Sequence, residues 1–279
     1  MFTNPVHIVQ HCGTPMLKSF NTETRFDHAS AANGYIPFER IQNTRDLGGH
    51  LAHDGRRIRA GRLLRGGNPG LASAADIATL KSFKLDVVLD FRAPGEKQPA
   101  EQAFAEIFHW IADPVLVGNL SQETVLPMLK NGSAETSRQF MIDFYRDFPR
   151  RYQAQFKRFL TLAEQNKTML YHCTAGKDRT GFASVLLLSA LGVDHAAIIA
   201  NYLESNHYNA AGNAQVLAQI AEAALPSEVV APLLMVDAAY IEASLQVVED
   251  DYDGMDHYLR QVLGIDLERI RRNYLEPTS

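Results

Sequence analysis

Residues 179–191, Arg-Thr-Gly-Phe-Ala-Ser-Val-Leu-Leu-Leu-Ser-Ala-Leu, read as a helix that is apolar almost all round. A helix without a polar face of useful width belongs in the middle of a domain. Across a short loop it follows Thr168-Met-Leu-Tyr-His172, an apolar stretch of strand length. Gly192 suits a left-handed cap at the far end of the helix. A buried strand feeding a buried helix is the building unit of a parallel sheet covered on both faces. The rest of the chain therefore has to supply further strands and the helices that cover them.

Asp86-Val-Val-Leu-Asp-Phe91 has the β-branched, apolar character of a second buried parallel strand. Shorter strand candidates lie at Tyr35–Arg40, Leu63–Arg65 and Glu106–Ile111, and charged and apolar residues alternate over Arg57–Arg59. Ser73 is placed to cap a helix running to Phe83. Helical patterns cover about 121–130, 135–146 and 150–165. From Asp194 to Leu275 the pattern is helical throughout, with breaks expected at Gly212, Pro226, Pro232, Gly254 and Gly264. Residues 1–34 show no sustained period and read as an N-terminal arm with one short strand at Val6–Gln10. Strands alternating with helices, then a run of helices, predict one α/β domain over 35–279. Its expected form is a central, mostly parallel sheet flanked by helices, with 194–275 an all-helical part.

Composition narrows the class. With 46% hydrophobic and 21% charged residues the chain is too apolar for disorder. A net charge of −5 leaves no footprint of a nucleic-acid partner. The two cysteines, Cys12 and Cys173, are too few for a disulfide scaffold and suit a reducing compartment. No apolar run reaches the roughly 18 residues of a membrane helix, so no stable membrane insertion is expected. Met1–Phe20 lacks the basic and apolar regions of a signal peptide. Cytoplasmic is the default location.

The chemistry concentrates in Tyr171-His-Cys-Thr-Ala-Gly-Lys-Asp-Arg-Thr-Gly181. Lying between the strand and the helix, it is a tight loop at a helix N-terminus. There, inward N–H groups and the helix dipole bind a tetrahedral anion. Thr174, Ala175, Gly176, Lys177, Asp178 and Arg179 would form that cradle, with Cys173 beneath the anion as nucleophile. Arg179 can fork two N–H groups onto two phosphate oxygens, Gly176 permits the turn, and Thr180 is placed to hydrogen-bond the sulfur. His172 reads as a buried structural donor rather than a proton shuttle. These residues suit phosphoryl transfer through a cysteinyl-phosphate that water then hydrolyses. The Gly-Lys pair is not a nucleotide-binding loop, because Lys177 is followed by Asp and Tyr171 stands where the first glycine is required.

This segment resembles the Cys-x5-Arg signature of the cysteine-dependent protein tyrosine phosphatases. His-Cys-x-x-Gly-Lys-Asp-Arg-Thr-Gly is similar to the loop of the atypical bacterial tyrosine and phosphoinositide phosphatases, a group that includes secreted virulence enzymes. Three further elements match in order: Asn43-Thr-Arg-Asp46-Leu-Gly-Gly49, Asp90-Phe-Arg92 with Glu96, and Tyr202-Leu-Glu-Ser-Asn206. The resemblance implies a protein tyrosine phosphatase-like fold and hydrolysis of phosphate monoesters without metal or cofactor. Phosphotyrosine is the leading substrate, and dual specificity or phosphoinositides remain open. It also implies that Lys177 adds charge for highly anionic substrates. It favours Asp178, inside the loop, as general acid. The alternative is Asp113 in Trp110-Ile-Ala-Asp-Pro114, placed like the mobile-loop Asp of classical members. Secretion without a conventional signal is known in the group, so that route stays open here.

Other features carry weaker expectations. Asp46 either holds a cation near the loop or forms a turn. Asp90 and Arg92 are expected to make a structural ion pair. The helices beyond Asp194 either cover the site or complete the core. Cys12 lacks an arginine at the required spacing and reads as non-catalytic. Arg56, Arg57, Arg59, Arg62 and Arg65 either steer acidic substrates or protect strand edges, the commoner role. His172 beside Cys173 lacks further ligands at metal spacing. The rival functions are a phosphate-binding module without turnover, and a sulfurtransferase or arsenate reductase, which also use a loop thiolate.

Overall fold

A computed structural model of the chain describes residues 34–115, 131–222 and 226–277. The expected strand at Val6–Gln10 and the helical pattern at 121–130 lie outside the described residues, as does Cys12. Five strands form one sheet: β1 (Arg45–Asp46), β2 (Leu63–Gly66), β3 (Val87–Asp90), β4 (Trp110–Ala112) and β5 (Met169–His172). Their order is β1-β2-β5-β3-β4, with β1 antiparallel to β2 and the other pairings parallel. Strand β5 is central, its register pairing Leu170 with Leu64 on one side and Val88 on the other.

The alternation of side chains along a strand separates two apolar layers. Leu63, Val87, Leu89, Met169 and Tyr171 face the larger core. Leu64, Val88 and Leu170 face a smaller one, closed by Leu80 of α1 (Ala74–Ser82) and Phe104 of α2 (Gln102–Ala105). Helix α1 starts at Ser73 as expected. The Ser73 hydroxyl accepts from the Asp76 N–H, and the Asp76 carboxylate accepts from the Ser73 N–H, completing a capping box.

The larger core is covered by α3 (Ala134–Arg151), α4 (Gln153–Glu164) and α5 (Arg179–Ala190), the apolar helix read from the sequence. Beyond it come α6 (His195–Leu203), α7 (Ser205–Tyr208), α8 (Ala210–Glu222), α9 (Ser227–Leu234) and α10 (Ala238–Tyr252). After α11 (Met255–His257) and a π-helical turn, α12 (Leu267–Tyr274) closes the described chain. Tyr202, Tyr240, Ile241, Val248, Leu259, Ile270 and Tyr274 all join the larger core, so these helices complete it. The chain end is stitched back to an early segment: the Arg59 N–H donates to the Tyr274 carbonyl and the Glu276 N–H to the Arg57 carbonyl, both at 2.8 Å.

Four expectations need correction. Tyr35–Arg40 is not a strand. Only Tyr35 pairs, with Arg45, and the N–H groups of Glu39 and Arg40 donate to the Asp76 carboxylate at 2.8 and 3.0 Å. Gly212 does not break a helix but lies inside α8, where a Cβ would come within 2.7 Å of the Gln42 side chain. Pro232 likewise lies within α9. Helix α3 also runs past its expected end, through Pro149. Proline cannot donate to the carbonyl four residues back, and the Ser244 hydroxyl donates to that Tyr145 carbonyl instead, at 2.6 Å.

Candidate active site

The loop from Cys173 to Asp178 leaves the C-terminal end of the central strand and enters α5 at Arg179. Open α/β sheets place ligands at such strand ends. Its shape is imposed from outside. The Asn68 N–H donates to the Thr174 carbonyl at 3.0 Å. Asn43 and Asn209 both donate side-chain N–H groups to the Ala175 carbonyl, at 3.0 and 3.1 Å. Asn43 and Arg65 both donate to the Gly176 carbonyl at 3.0 Å. A trans peptide points its N–H opposite its C=O. Holding these three carbonyls outward therefore turns the N–H groups of Ala175, Gly176 and Lys177 toward the loop's interior, as an anion cradle requires. Gly176 has φ of +67°, and a Cβ there would lie 2.3 Å from the Gly66 carbonyl, so no other residue fits.

Cys173 begins this loop, a free and buried thiol. Arg179 closes it, its guanidinium gripped by both carboxylate oxygens of Glu96 at 2.7 Å. The same two terminal nitrogens also donate, at 3.4 Å, to the Phe91 carbonyl and the Thr174 hydroxyl, so an anion would have to compete for them or take the Nε–H. Glu96 also accepts the Thr174 hydroxyl at 2.7 Å and the Ala93 N–H at 2.8 Å. Burial pushes the Glu96 carboxyl up, but its bonds to Arg179 outweigh burial and hold it at about 2. The Arg179 guanidinium is held above its ordinary value, its burial being outweighed by Glu96.

His172 is fully buried, and its Nδ1 lies 3.1 Å from the Cys173 carbonyl. A carbonyl only accepts, so Nδ1 carries the proton and donates. Nε2 has no hydrogen-bond partner among the described residues and stands 3.9 Å from Asp90. Burial pulls the imidazole down to about 4, so His172 is neutral at physiological pH and acts as a donor to the backbone.

Asp178 precedes α5, yet its side chain caps no helix N–H. The carboxylate turns instead to the Tyr145 hydroxyl, which donates to Oδ1 at 2.8 Å, and to Lys177 Nζ, 3.0 Å from Oδ1 and 2.9 Å from Oδ2. Lys177 also donates to the Leu233 carbonyl at 3.0 Å, so the end of α9 touches the loop. The Thr180 hydroxyl oxygen is buried with no hydrogen-bond partner among the described residues. The bond to sulfur expected from the sequence is not formed here.

The profile of the tyrosine phosphatase family matches residues 36–276, nearly all that the structure describes. The chain belongs to that family. An inferred tyrosine-protein phosphatase of Cupriavidus necator is 48% identical over 240 residues, covering 86% of this chain and 88% of its own length. The triple specificity protein phosphatase PtpB of Mycobacterium tuberculosis is 31% identical, covering 77% of this chain and 90% of its own. Among solved structures, Pseudomonas aeruginosa TpbA aligns with 15% identity and a TM-score of 0.29, covering 55% of this chain and 81% of its own.

In this tyrosine phosphatase-family chain the remaining sequence candidates fall outside the loop. Both oxygens of Asp113 are taken by the Arg158 guanidinium, at 2.8 and 2.5 Å. Asp46 is a turn-former, accepting the N–H groups of Gly48 and Gly61 at 2.9 and 2.5 Å. Arg92 pairs with Asp90 at 3.0 Å and with Glu101 at 2.6 Å, a buried network behind the Glu96 turn. The five arginines do not share one role. Arg56 pairs with Asp54, Arg57 bonds the Gly49 carbonyl and Arg59 the Leu275 carbonyl, and Arg62 bonds Thr168 and Asn166. Arg65 is the exception to both expectations: it is fully buried on β2, between β1 and β5, and bonds Asn201 and the loop. Among the described residues no cluster of three metal-ligating side chains occurs, and no helix is long and apolar enough to cross a membrane.

Proposed function

We propose that this chain hydrolyses phosphate monoesters through a cysteinyl-phosphate, with phosphotyrosine as the leading substrate. The same loop would also take phosphoserine, phosphothreonine or phosphoinositide headgroups. The observation that carries this reading is the single loop that joins a free thiol, inward-facing amides and an arginine fixed by Glu96. Membership of the tyrosine phosphatase family supports it, and the triple specificity named for PtpB supports the breadth.

In the first step the Cys173 sulfur attacks phosphorus and the bond to the leaving oxygen breaks. The loop amides and the Arg179 guanidinium hold the equatorial oxygens as charge redistributes. Asp178 gives its proton to the leaving oxygen. In the second step water attacks phosphorus, Asp178 takes a proton from that water, and the P–S bond breaks to restore the thiolate. Asp178 is favoured over Asp113 because it lies in the loop, whereas the Asp113 carboxylate is committed to Arg158. Lys177, buried at the loop's edge, would add charge for multiply anionic substrates.

Hydrolysis of p-nitrophenyl phosphate in excess chelator, compared between wild type and Cys173→Ser, tests the assignment. Wild-type activity should survive chelation. The variant should lose turnover yet still bind inorganic phosphate by calorimetry, because the amides and Arg179 remain. Turnover near wild type in the variant would overturn the reading.

A further inference from the structure

The carboxylate of Asp178 has two unequal oxygens. Oδ1 accepts from two donors, Tyr145 and Lys177, while Oδ2 has only the ion contact with Lys177. Tyr145 is itself held on three sides. Its hydroxyl accepts from the Tyr202 hydroxyl at 2.8 Å, its ring packs edge-on against Phe144 and Phe148, and its carbonyl is fixed by Ser244 in place of the bond Pro149 cannot make. Both tyrosines are buried, and burial raises both phenols far above their ordinary value, so they remain neutral donors throughout the working pH range.

We propose that Tyr145, backed by Tyr202, is a positioning residue that pins Oδ1 of Asp178 and so assigns the transferable proton to Oδ2. The proposal rests on Asp178 being the general acid. When Asp178 is protonated, Oδ1 is already occupied by a hydroxyl donor and cannot also carry a proton toward Tyr145, so the proton sits on Oδ2. As it passes to the leaving oxygen, negative charge forms on the carboxylate. The Tyr145–Oδ1 bond then becomes charge-assisted and strengthens as the proton leaves. In the hydrolytic step the same bond holds the carboxylate while Oδ2 recovers a proton from water. Tyr202 keeps the Tyr145 hydroxyl hydrogen directed at Oδ1, since the lone pair it donates to is then not free to attract another donor.

The fold alone would ask for a ring at 145, and phenylalanine supplies one. Tyr145→Phe therefore separates the hydroxyl from the packing. The measurement is kcat/KM for p-nitrophenyl phosphate, whose leaving group hardly needs a proton, and for phenyl phosphate, whose leaving group does. In Tyr145→Phe the phenyl phosphate value should fall about ten- to hundredfold, the range of one charge-assisted hydrogen bond, with p-nitrophenyl phosphate changing less than about threefold. Tyr202→Phe should show the same split in smaller degree. Asp178→Asn should show a larger split, and adding Tyr145→Phe to it should deepen the split no further. Equal loss on both substrates in Tyr145→Phe, or additive loss in the double variant, would overturn the positioning role while leaving Asp178 as acid. Absence of any split in Asp178→Asn would instead remove the acid assignment, and this proposal with it. Should Tyr145→Phe fold poorly, Tyr202→Phe decides alone: a split supports the pair, and equal loss refutes it.

Discussion

His172 gives the structure a pH dependence that can be worked out in advance. Folded, its imidazole takes a proton only near pH 4; in the unfolded chain it does so near its ordinary 6.5. The unfolded state therefore binds the extra proton throughout that interval. The stability contributed by neutral His172 is complete above about pH 6.5 and is lost as pH falls toward 4. Over that span, at about 1.4 kcal/mol per unit, the loss comes to about 3 kcal/mol. The neighbouring Asp90, held below the ordinary carboxylate value, gives up its own contribution only at lower pH, so the two windows separate. His172→Asn isolates the effect. Its amide can keep a donor to the Cys173 carbonyl but does not titrate, and the lost contact with Trp110, whose ring lies 5.1 Å away, costs the same at every pH. Urea unfolding of both proteins between pH 7.5 and 4 should show the variant less stable at neutral pH and the gap closing by about 3 kcal/mol toward pH 4. Two curves that fall in parallel across the interval would refute the buried neutral imidazole.

Two further substitutions address the site. Glu96→Gln keeps the size of the side chain but loses the two-pronged grip on Arg179; kcat/KM for p-nitrophenyl phosphate should fall about tenfold or more. Its stability cost at neutral pH should be only about 1 kcal/mol, since Glu96 is partly solvated and screened, and the contribution should fade as pH falls from about 4.5 and be gone near 2. Asp113→Asn should destabilise the fold by about 1–3 kcal/mol, because it breaks the ion pair with Arg158 at a largely buried carboxylate. It should leave the ratio of phenyl to p-nitrophenyl phosphate hydrolysis unchanged, and a changed ratio would move the acid role to Asp113.

What could be read in advance was what is local in the chain. β3, β5 and α5 are mostly apolar with no polar face, and a segment with so little to show to water has one place to go. Cys173 to Arg179 lie within a single loop, so their spacing is the signal. The contacts that shape the loop were not legible in that way. Asn43 stood out only as part of an element matched to a family, and its reach to Ala175 across 132 positions, like that of Tyr145 to Asp178 across 33, leaves no mark in the local sequence. Arg65 read as an edge charge because it belongs to a cluster of five arginines, whereas β1 pairs outside it and buries it. Tyr35–Arg40 has strand composition, but the Asp76 carboxylate that finishes the cap of α1 also captures its N–H groups. The helical pattern ended at 146 and resumed at 150, whereas the helix runs on through Pro149 because Ser244, far along the chain, supplies the missing bond.

The long-range stitching of the loop has a consequence in time. During synthesis Cys173 and Arg179 leave the ribosome well before Asn209, which helps turn the Ala175 carbonyl outward, and before the segment at Tyr274–Glu276 that binds Arg57 and Arg59. A nascent chain halted short of Asn209 carries the whole signature motif and the donors Asn43, Arg65 and Asn68, but lacks one of the two that hold the Ala175 carbonyl. If the loop is the phosphate site proposed above, such a chain should bind phosphate more weakly than the finished protein, and the affinity should rise once the segment carrying Asn209 has docked. The strength of phosphate binding by this loop would thereby report how much of the later fold has docked.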